Sequence, residues 1–146
     1  MKIIDRAEVE KWCKANSCAL DGNGLPFPPM VTESFKIPQD TGKRIAMVKD
    51  HLTVFQSKPE ILVWFTEWGV WPSGERAHIF ERFRISYGEK RNLIDSPGHL
   101  FSSTEHEDVV SFVTLGVLFL WNVFVFSSKY EKFLFYSHDE VGGRIG

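Results

Sequence analysis

Residues 109–128 read VVSFVTLGVLFLWNVFVFSS, a run of twenty residues without a charge that decides where the core of the chain lies. As one helix, at about 1.5 Å per residue, the run would extend about 30 Å, which is enough to cross a bilayer. Polar residues and Gly116 interrupt its first half, whereas residues 121–126 are a β-branched and aromatic series typical of a strand. We therefore predict a helix followed by a strand, with a membrane span as the alternative.

The ends of these two elements are marked in the sequence. Thr104 and Glu107 have the spacing of a capping box, which predicts that the helix starts at Glu105. A second apolar run, from Phe133 to His138, follows the strand after a short polar link and predicts a β-hairpin. A symmetric hairpin would pair Phe126 with Phe133, Asn122 with Ser137, and Trp121 with His138.

Length and composition predict one globular domain over residues 1–146, because the chain has 146 residues and 43% of them are hydrophobic. Aromatic residues make up 14% of the chain and supply a large apolar area for a dry core. A net charge of −2 offers no basic face, so we expect no nucleic-acid partner. The glycine-rich residues 140–146 are expected to form a frayed tail.

The first half of the chain carries two helix signals and one strand signal. Asp5 and Glu8 form a capping-box pattern that predicts a helix from Arg6 to about Ala15. Residues 31–37 alternate as in a half-exposed strand, and Asp40 can cap a second helix. The spacing in that second helix predicts an apolar face of Ile45, Val48, Leu52 and Phe55, with Arg44, Lys49 and Asp50 turned outward.

The middle of the chain indicates a central strand. Residues 61–68 are apolar at both odd and even positions, which is typical of a strand covered on two faces. Ser73 can cap a following helix that ends at Gly88, and residues 92–103 are predicted to be a loop. That helix is expected to bury Ile79, Phe80, Phe83 and Tyr87. The fold class is therefore α+β, with a mixed sheet of roughly four strands, a C-terminal hairpin and about four packed helices.

Two cysteines, Cys13 and Cys18, are present, and the residues before them include Asp5, Glu8 and Glu10 where a secretory signal would need an apolar stretch. This pattern favours a cytoplasmic protein with reduced thiols. A spacing of five matches neither a metal knuckle nor a redox pair, so we interpret both as ordinary thiols.

The polar group His138, Asp139 and Glu140 leaves the end of the last predicted strand, where side chains can project from a rigid support. Imidazole and carboxylate groups suit a divalent metal or general acid–base chemistry, and Glu67 with His99 could complete the set. In the alternative interpretation, His138 packs on a tryptophan and the acids are a solvated strand end.

Two tryptophans, Trp68 and Trp71, lie in a short run with glycine, proline and serine. Tryptophan is favoured in anchoring contacts, so this run can bind a partner, although a tight strand-to-helix connection explains it as well. The chain has no phosphate-binding glycine loop, nucleophile elbow, paired-histidine zinc helix or dinucleotide fingerprint.

The segments EWGVWPS at residues 67–73, PGHLF at residues 97–101 and SHDE at residues 137–140 together resemble a family of small bacterial proteins to which no activity is assigned. The similarity spans most of the chain. It departs from the family at Asn122, where an aspartate is expected, so no acid acts there. The resemblance implies a bacterial cytoplasmic setting and an accessory protein of the kind encoded near toxin or mobile-element genes.

The leading functional hypothesis is a non-catalytic cytoplasmic binding or accessory protein, of the immunity type, that engages a protein partner and needs no cofactor. Trp68, Trp71, Asp139 and Glu140 are its predicted contact residues. The absence of catalytic motifs and the surplus of aromatic residues favour this hypothesis.

Two alternatives remain open. One is a small metal-assisted hydrolase or nuclease with His138, Asp139, His99 and Glu67 as ligands or acid–base groups. The other is a homodimer that covers part of the surface of residues 109–126.

Overall fold

A computed structural model describes residues 1–26, 31–68 and 76–145. These residues form a single α+β domain around an open sheet of seven antiparallel strands. The strands are β1 (Lys2–Ile4), β2 (Glu33–Lys36), β3 (Glu60–Glu67), β4 (Gly98–Ser102), β5 (Asn122–Ser127), β6 (Phe133–Tyr136) and β7 (Val141–Ile145). The helices are α1 (Arg6–Ala15), α2 (Thr41–Leu52), α3 (Ala77–Ile85) and α4 (His106–Leu118).

The strand order is β1-β4-β3-β5-β6-β7-β2, so the sheet differs from the predicted one in size and in type. The prediction of a four-stranded mixed sheet was wrong. The predicted loop at residues 92–103 contains β4, because Gly98 starts a strand there instead of a turn. A side chain at Gly98 would collide with Ile4 and Val9, so this glycine allows α1 to pack directly on the sheet.

Residues 141–145, five of the seven residues expected to fray, form β7, which pairs with β6 on one side and β2 on the other. Gly146 lies outside the described residues. The two glycines of β7 suggested disorder, but each accommodates an aromatic ring from a neighbouring strand. A side chain at Gly142 would collide with the ring of Phe35, and one at Gly143 with the ring of Phe135. Close packing across the strand therefore explains these glycines.

The predicted first helix is confirmed, and the predicted hairpin is confirmed over four residue pairs. β6 ends at Tyr136, so the predicted pairs Asn122–Ser137 and Trp121–His138 are not part of the ladder. Phe126 lies opposite Phe133 and Val123 opposite Tyr136, which is the predicted register. Asp5 caps α1 through the predicted capping box with Glu8. In both cases the signal is local in the sequence, and no distant residue is needed to satisfy it.

The two faces of the sheet carry two cores. Alternate residues of β3 and β5, such as Val63 and Val125, face α2, α3 and α4, whereas Leu62 and Phe126 face α1. Most apolar side chains of residues 109–126 are used here, including Val109, Phe112, Val113, Val117, Trp121, Val123 and Val125. The surface that the homodimer hypothesis required is therefore mostly buried within the domain.

Three predicted helix details are wrong. Arg44 is buried, whereas Ile45 is 43% exposed, so α2 is rotated from the predicted face. Ile79 on α3 and Tyr87 just after it are exposed, although both were predicted to be buried. Of the four predicted residues, Phe80 is fully buried. The capping box before α4 joins Ser102 to Glu105, and a 3-10 turn precedes the helix. The predicted cap Ser73 lies outside the described residues.

The uncharged run at residues 109–128 divides between α4 and β5, as predicted. α4 ends at Leu118, and Leu120 has a positive φ of 56° that turns the chain into β5. Within residues 1–26, 31–68 and 76–145, no helix combines the length and the apolar character needed to span a membrane.

Candidate functional site

A groove with a volume of about 390 Å³ opens at the C-terminal end of β3. Three aromatic residues at the end of β3 border it, Trp64, Phe65 and Trp68, but Trp64 and Phe65 are 2% and 0% exposed, so only Trp68 offers a partly exposed ring. The remaining lining residues are Arg6, Leu25, Thr66, Glu67, Ile94 and Pro97. Trp68 is half-buried, since it also packs against the core on the α4 side.

Apolar side chains at the rim of the groove face solvent. Ile94 is 73% exposed and Leu25 is 37% exposed. Covering such surface is favourable by about 25 cal/mol per Å². Ile94 is the most exposed large hydrophobic residue of the described chain, so the groove offers apolar area to a ligand or partner.

A polar cluster adjoins the groove and shares Glu67 with it. The register between β3 and β5 shifts between Phe65 and Glu67, and this bulge places Glu67 opposite Asn122. The tight turn after β6 supplies His138 and Asp139, because the N–H of Glu140 donates to the carbonyl of Ser137 at 3.1 Å. Three of the four residues predicted for a metal or acid–base set, namely Glu67, His138 and Asp139, thus lie together.

Asn122 organises the cluster with its side-chain amide. Its Oδ1 accepts a hydrogen bond from the backbone N–H of His138 at 2.8 Å and lies 3.0 Å from His138 Nδ1. Its Nδ2 donates to Glu67 Oε2 at 2.8 Å. This arrangement favours the tautomer in which His138 Nδ1 carries the proton.

The carboxylates flank the His138 ring on two sides. Glu67 Oε2 is 3.3 Å from Nδ1, and Asp139 Oδ1 is 3.4 Å from Nε2. The side chain of Asp139 is 74% exposed, so its carboxylate is open to a partner. An aspartate at position 122 could not donate to Glu67, which gives a physical reason for the asparagine there.

His99 is absent from this cluster. It lies on β4 inside the core, where its ring contacts Phe65 at 5.2 Å and Phe112 at 5.0 Å between centroids. No normal hydrogen bond reaches either ring nitrogen. Burial, and then the positive charge of Arg84, lowers the pKa of His99 to about 3, although the carbonyl groups of Val63 and Pro97 oppose the shift.

The predicted four-residue set is therefore incomplete. In the described part of the chain, no three His, Cys, Asp or Glu side chains are arranged to hold a metal ion. Glu67, His138 and Asp139 are close, but the two carboxylates contact opposite nitrogens of the imidazole ring, Nδ1 and Nε2, so the three groups do not face one centre.

The alternative interpretation of the cluster holds in part: Asp139 is solvent-exposed, as expected for a solvated strand end, and His138 makes a polar contact. Trp121 lies in the core against Phe65, Phe80 and Phe119, whereas His138 is bonded to Asn122. The polar link to Asn122 therefore positions His138.

Glu140 has a structural contact that sequence reasoning did not anticipate. Its carboxylate accepts from Arg44 Nη2 at 2.9 Å, and its backbone carbonyl accepts from the N–H of Ile37 at 2.8 Å. Among the predicted partner contacts, Trp68 lines the groove and Asp139 lies beside it. Trp71 falls outside the described residues.

Sequence reasoning missed Leu25, Ile94 and Asn122. The apolar pair Leu93 and Ile94 lies between Asn92 and Asp95, and the sequence alone does not say that Leu93 is buried while Ile94 is exposed. The pairing of Asn122 with Glu67 likewise has no signal in the sequence, since it depends on the bulge in β3.

No protein-family model, curated protein or solved structure matches this chain. The resemblance to a family of small bacterial proteins stays a prediction. The functional interpretation rests on the groove and the cluster beside it.

Proposed function

We propose that this chain is a non-catalytic binding or accessory protein of the bacterial cytoplasm, of the immunity type, that holds a protein partner in the groove at the end of β3. The observation that carries the proposal is Ile94, which is 73% exposed beside a groove that the half-buried Trp68 also lines. Central pockets with aromatic lining and apolar anchors dominate the affinity of protein interfaces.

Two carboxylates beside the groove favour a basic group on the partner, because the cation in the lining, Arg6, is already paired with Glu10. Glu67 and Asp139 have side chains that are 45% and 74% exposed, and both lie on the side formed by β3, β5 and the turn after β6. A lysine or arginine next to an apolar anchor would meet these carboxylates as the anchor enters the groove. We therefore expect the partner to present a large apolar side chain followed closely by a basic one.

The test is selection of peptides from a displayed random library on the immobilised protein. We expect the selected peptides to combine an aromatic or aliphatic anchor with a neighbouring lysine or arginine. Their affinity should fall about thirtyfold or more on Ile94→Asp, which is the loss expected for an anchor contact worth about 2 kcal/mol.

A matched control distinguishes the groove from the rest of the surface. Ile85 is 58% exposed on α3 and is not among the groove residues, so Ile85→Asp should leave peptide affinity unchanged. The acidic contact is checked with Asp139→Asn, which should weaken basic peptides selectively. Peptides that bind Ile94→Asp as well as they bind the wild-type protein would contradict the proposal.

The metal-assisted hydrolase or nuclease is less well supported. The predicted set of ligands and acid–base groups included His99, whose ring is buried in the core and does not reach solvent. Glu67, His138 and Asp139 remain as acid–base groups close to one another. Among the described residues, these side chains are not arranged to hold a metal ion.

A further inference from the structure

The end of α1 brings the two cysteines of the chain into contact. The N–H of Cys18 donates to the carbonyl of Cys13 at 2.9 Å, and the N–H of Ser17 donates to the carbonyl of Lys14 at 3.2 Å. Ser17 has a φ of 59°. These three features define a Schellman motif, in which the residue at position 18 packs its side chain on the last turn of the helix.

This geometry suits a disulfide. The backbone hydrogen bond holds the two Cα atoms no more than about 6.8 Å apart, given standard bond lengths. Cysteines with Cα atoms about 4.4 to 6.8 Å apart can be bridged without large backbone movement. Cys18 also packs on the core cluster that contains Cys13, and the two thiol groups lie within hydrogen-bonding distance of each other.

The two thiols differ in access. Cys13 is fully buried and Cys18 is half-buried. The neighbouring Cys18 thiol and then burial raise the pKa of the Cys13 thiol. Cys18 lines an open cavity of about 500 Å³ between α1 and the loop at residues 20–24, with Glu10 and Lys14 on its wall. A small molecule can therefore reach Cys18 before it reaches Cys13.

We propose that Cys13 and Cys18 are a redox-active pair that is oxidised to a disulfide by a low-molecular-weight disulfide of the glutathione class. The Cys18 thiolate attacks one sulfur of the reagent, which forms a mixed disulfide and releases one thiol. The Cys13 thiol then loses its proton and attacks Cys18 Sγ, which closes the internal disulfide and releases the second thiol. The reagent takes up the two electrons, and the chain loses two hydrogen atoms.

The pair was missed at the sequence level because a spacing of five does not match the usual redox motif. The spacing fits the end of a helix, where the left-handed residue at position 17 folds the chain back on the preceding turn. The redox proposal does not rest on the function proposed for the groove.

The test uses the full chain with oxidised glutathione, followed by alkylation and intact-mass analysis over time. We expect the wild-type protein to lose two hydrogen atoms, with a transient mixed disulfide because the buried Cys13 thiol reacts slowly. Cys13→Ala should stop at the glutathione adduct. Cys18→Ala should react at least about tenfold more slowly, since the remaining thiol is buried.

A tryptic digest of the unreduced wild-type protein gives a result that does not depend on any variant. Lys14 separates the two cysteines, so the disulfide joins the peptide of residues 12–14 to the peptide that begins at Ala15. The absence of this joined pair after equilibration would overturn the proposal. So would a glutathione adduct that persists on wild-type Cys18.

Discussion

The guanidinium of Arg44 lies 2.9 Å from the carboxylate of Glu140, and this ion pair joins α2 to the turn between β6 and β7. The Arg44 side chain is 10% exposed and also donates from Nε to the carbonyl of Pro38. Glu140 holds a φ of 60° at the end of the turn that presents His138 and Asp139. The pair therefore ties the turn that carries His138 and Asp139 to α2.

We predict that Arg44 and Glu140 are energetically coupled. In a double-mutant cycle with Arg44→Met and Glu140→Gln, the coupling free energy of unfolding should be about 1–2 kcal/mol, between the values for exposed and buried pairs. Urea unfolding of the four proteins measures it. Lys2 and Glu8 form an exposed pair that serves as a control, with an expected coupling below about 1 kcal/mol. Equal coupling for the two pairs would show that the burial of Arg44 is without effect.

The buried His99 should make stability depend on pH. Its pKa is about 3 in the folded chain. An unfolded histidine has a pKa near 6.5, so the unfolded chain binds the proton first. Neutral His99 therefore contributes fully to the free energy of unfolding above about pH 6.5. This contribution is lost as the pH falls toward about 3, at up to about 1.4 kcal/mol per pH unit.

His99→Phe isolates this effect, because phenylalanine fills the aromatic cluster without a titrating group. Between pH 6 and pH 4, the free energy of unfolding should fall less steeply in the variant than in the wild-type protein. The two slopes should differ by about 1 kcal/mol per pH unit. Burial also lowers the pKa of His51, but this contribution is common to both proteins and cancels in the difference. Parallel pH profiles for the two proteins would mean that His99 takes up its proton at the same pH in the folded and the unfolded chain, which would contradict the prediction.

Gly116 should not tolerate a side chain, because α4 crosses the sheet there. A Cβ at this position would lie 2.5 Å from Val123 Cγ2 and 2.6 Å from Phe65 Cε1. We expect Gly116→Ala to destabilise the protein by about 1–3 kcal/mol, even though alanine favours a helix. Gly22→Ala is the matched control, since nothing lies within 4 Å of its added Cβ. Thermal unfolding of both variants checks the difference, and a loss of similar size in the two would contradict the close packing.

The polar cluster should not respond to divalent metals. Chelator-treated protein titrated with zinc, manganese or magnesium ions should keep its Tm within about 1 °C, whereas a ligand at a hundred times its Kd would raise stability by about 2.7 kcal/mol and Tm by several degrees. His138→Ala provides the control. A metal-specific rise that disappears in His138→Ala would place the hydrolase hypothesis ahead of the binding protein.

Predictions from the sequence were right where the deciding residues are close together along the chain, and wrong where they are far apart. The Asp5–Glu8 capping box and the β5–β6 register involve neighbours along the chain, and both are as predicted. The face of α2 was wrong because Glu140, 96 positions away, supplies the partner that draws Arg44 inward. Part of the candidate site was also predictable, since Glu67, His138 and Asp139 are the residues that meet.

By itself the sequence determined the helix-to-strand division of residues 109–128, the hairpin that follows and the α+β class. Periodicity, capping and β-branched composition act within a few residues, so they can be read without the fold. Only the tertiary structure decided the seven-stranded sheet, the buried place of His99 and the exposure of Ile94. These features depend on which strands pair and where a bulge redirects the chain, and such choices are settled by contacts between distant residues.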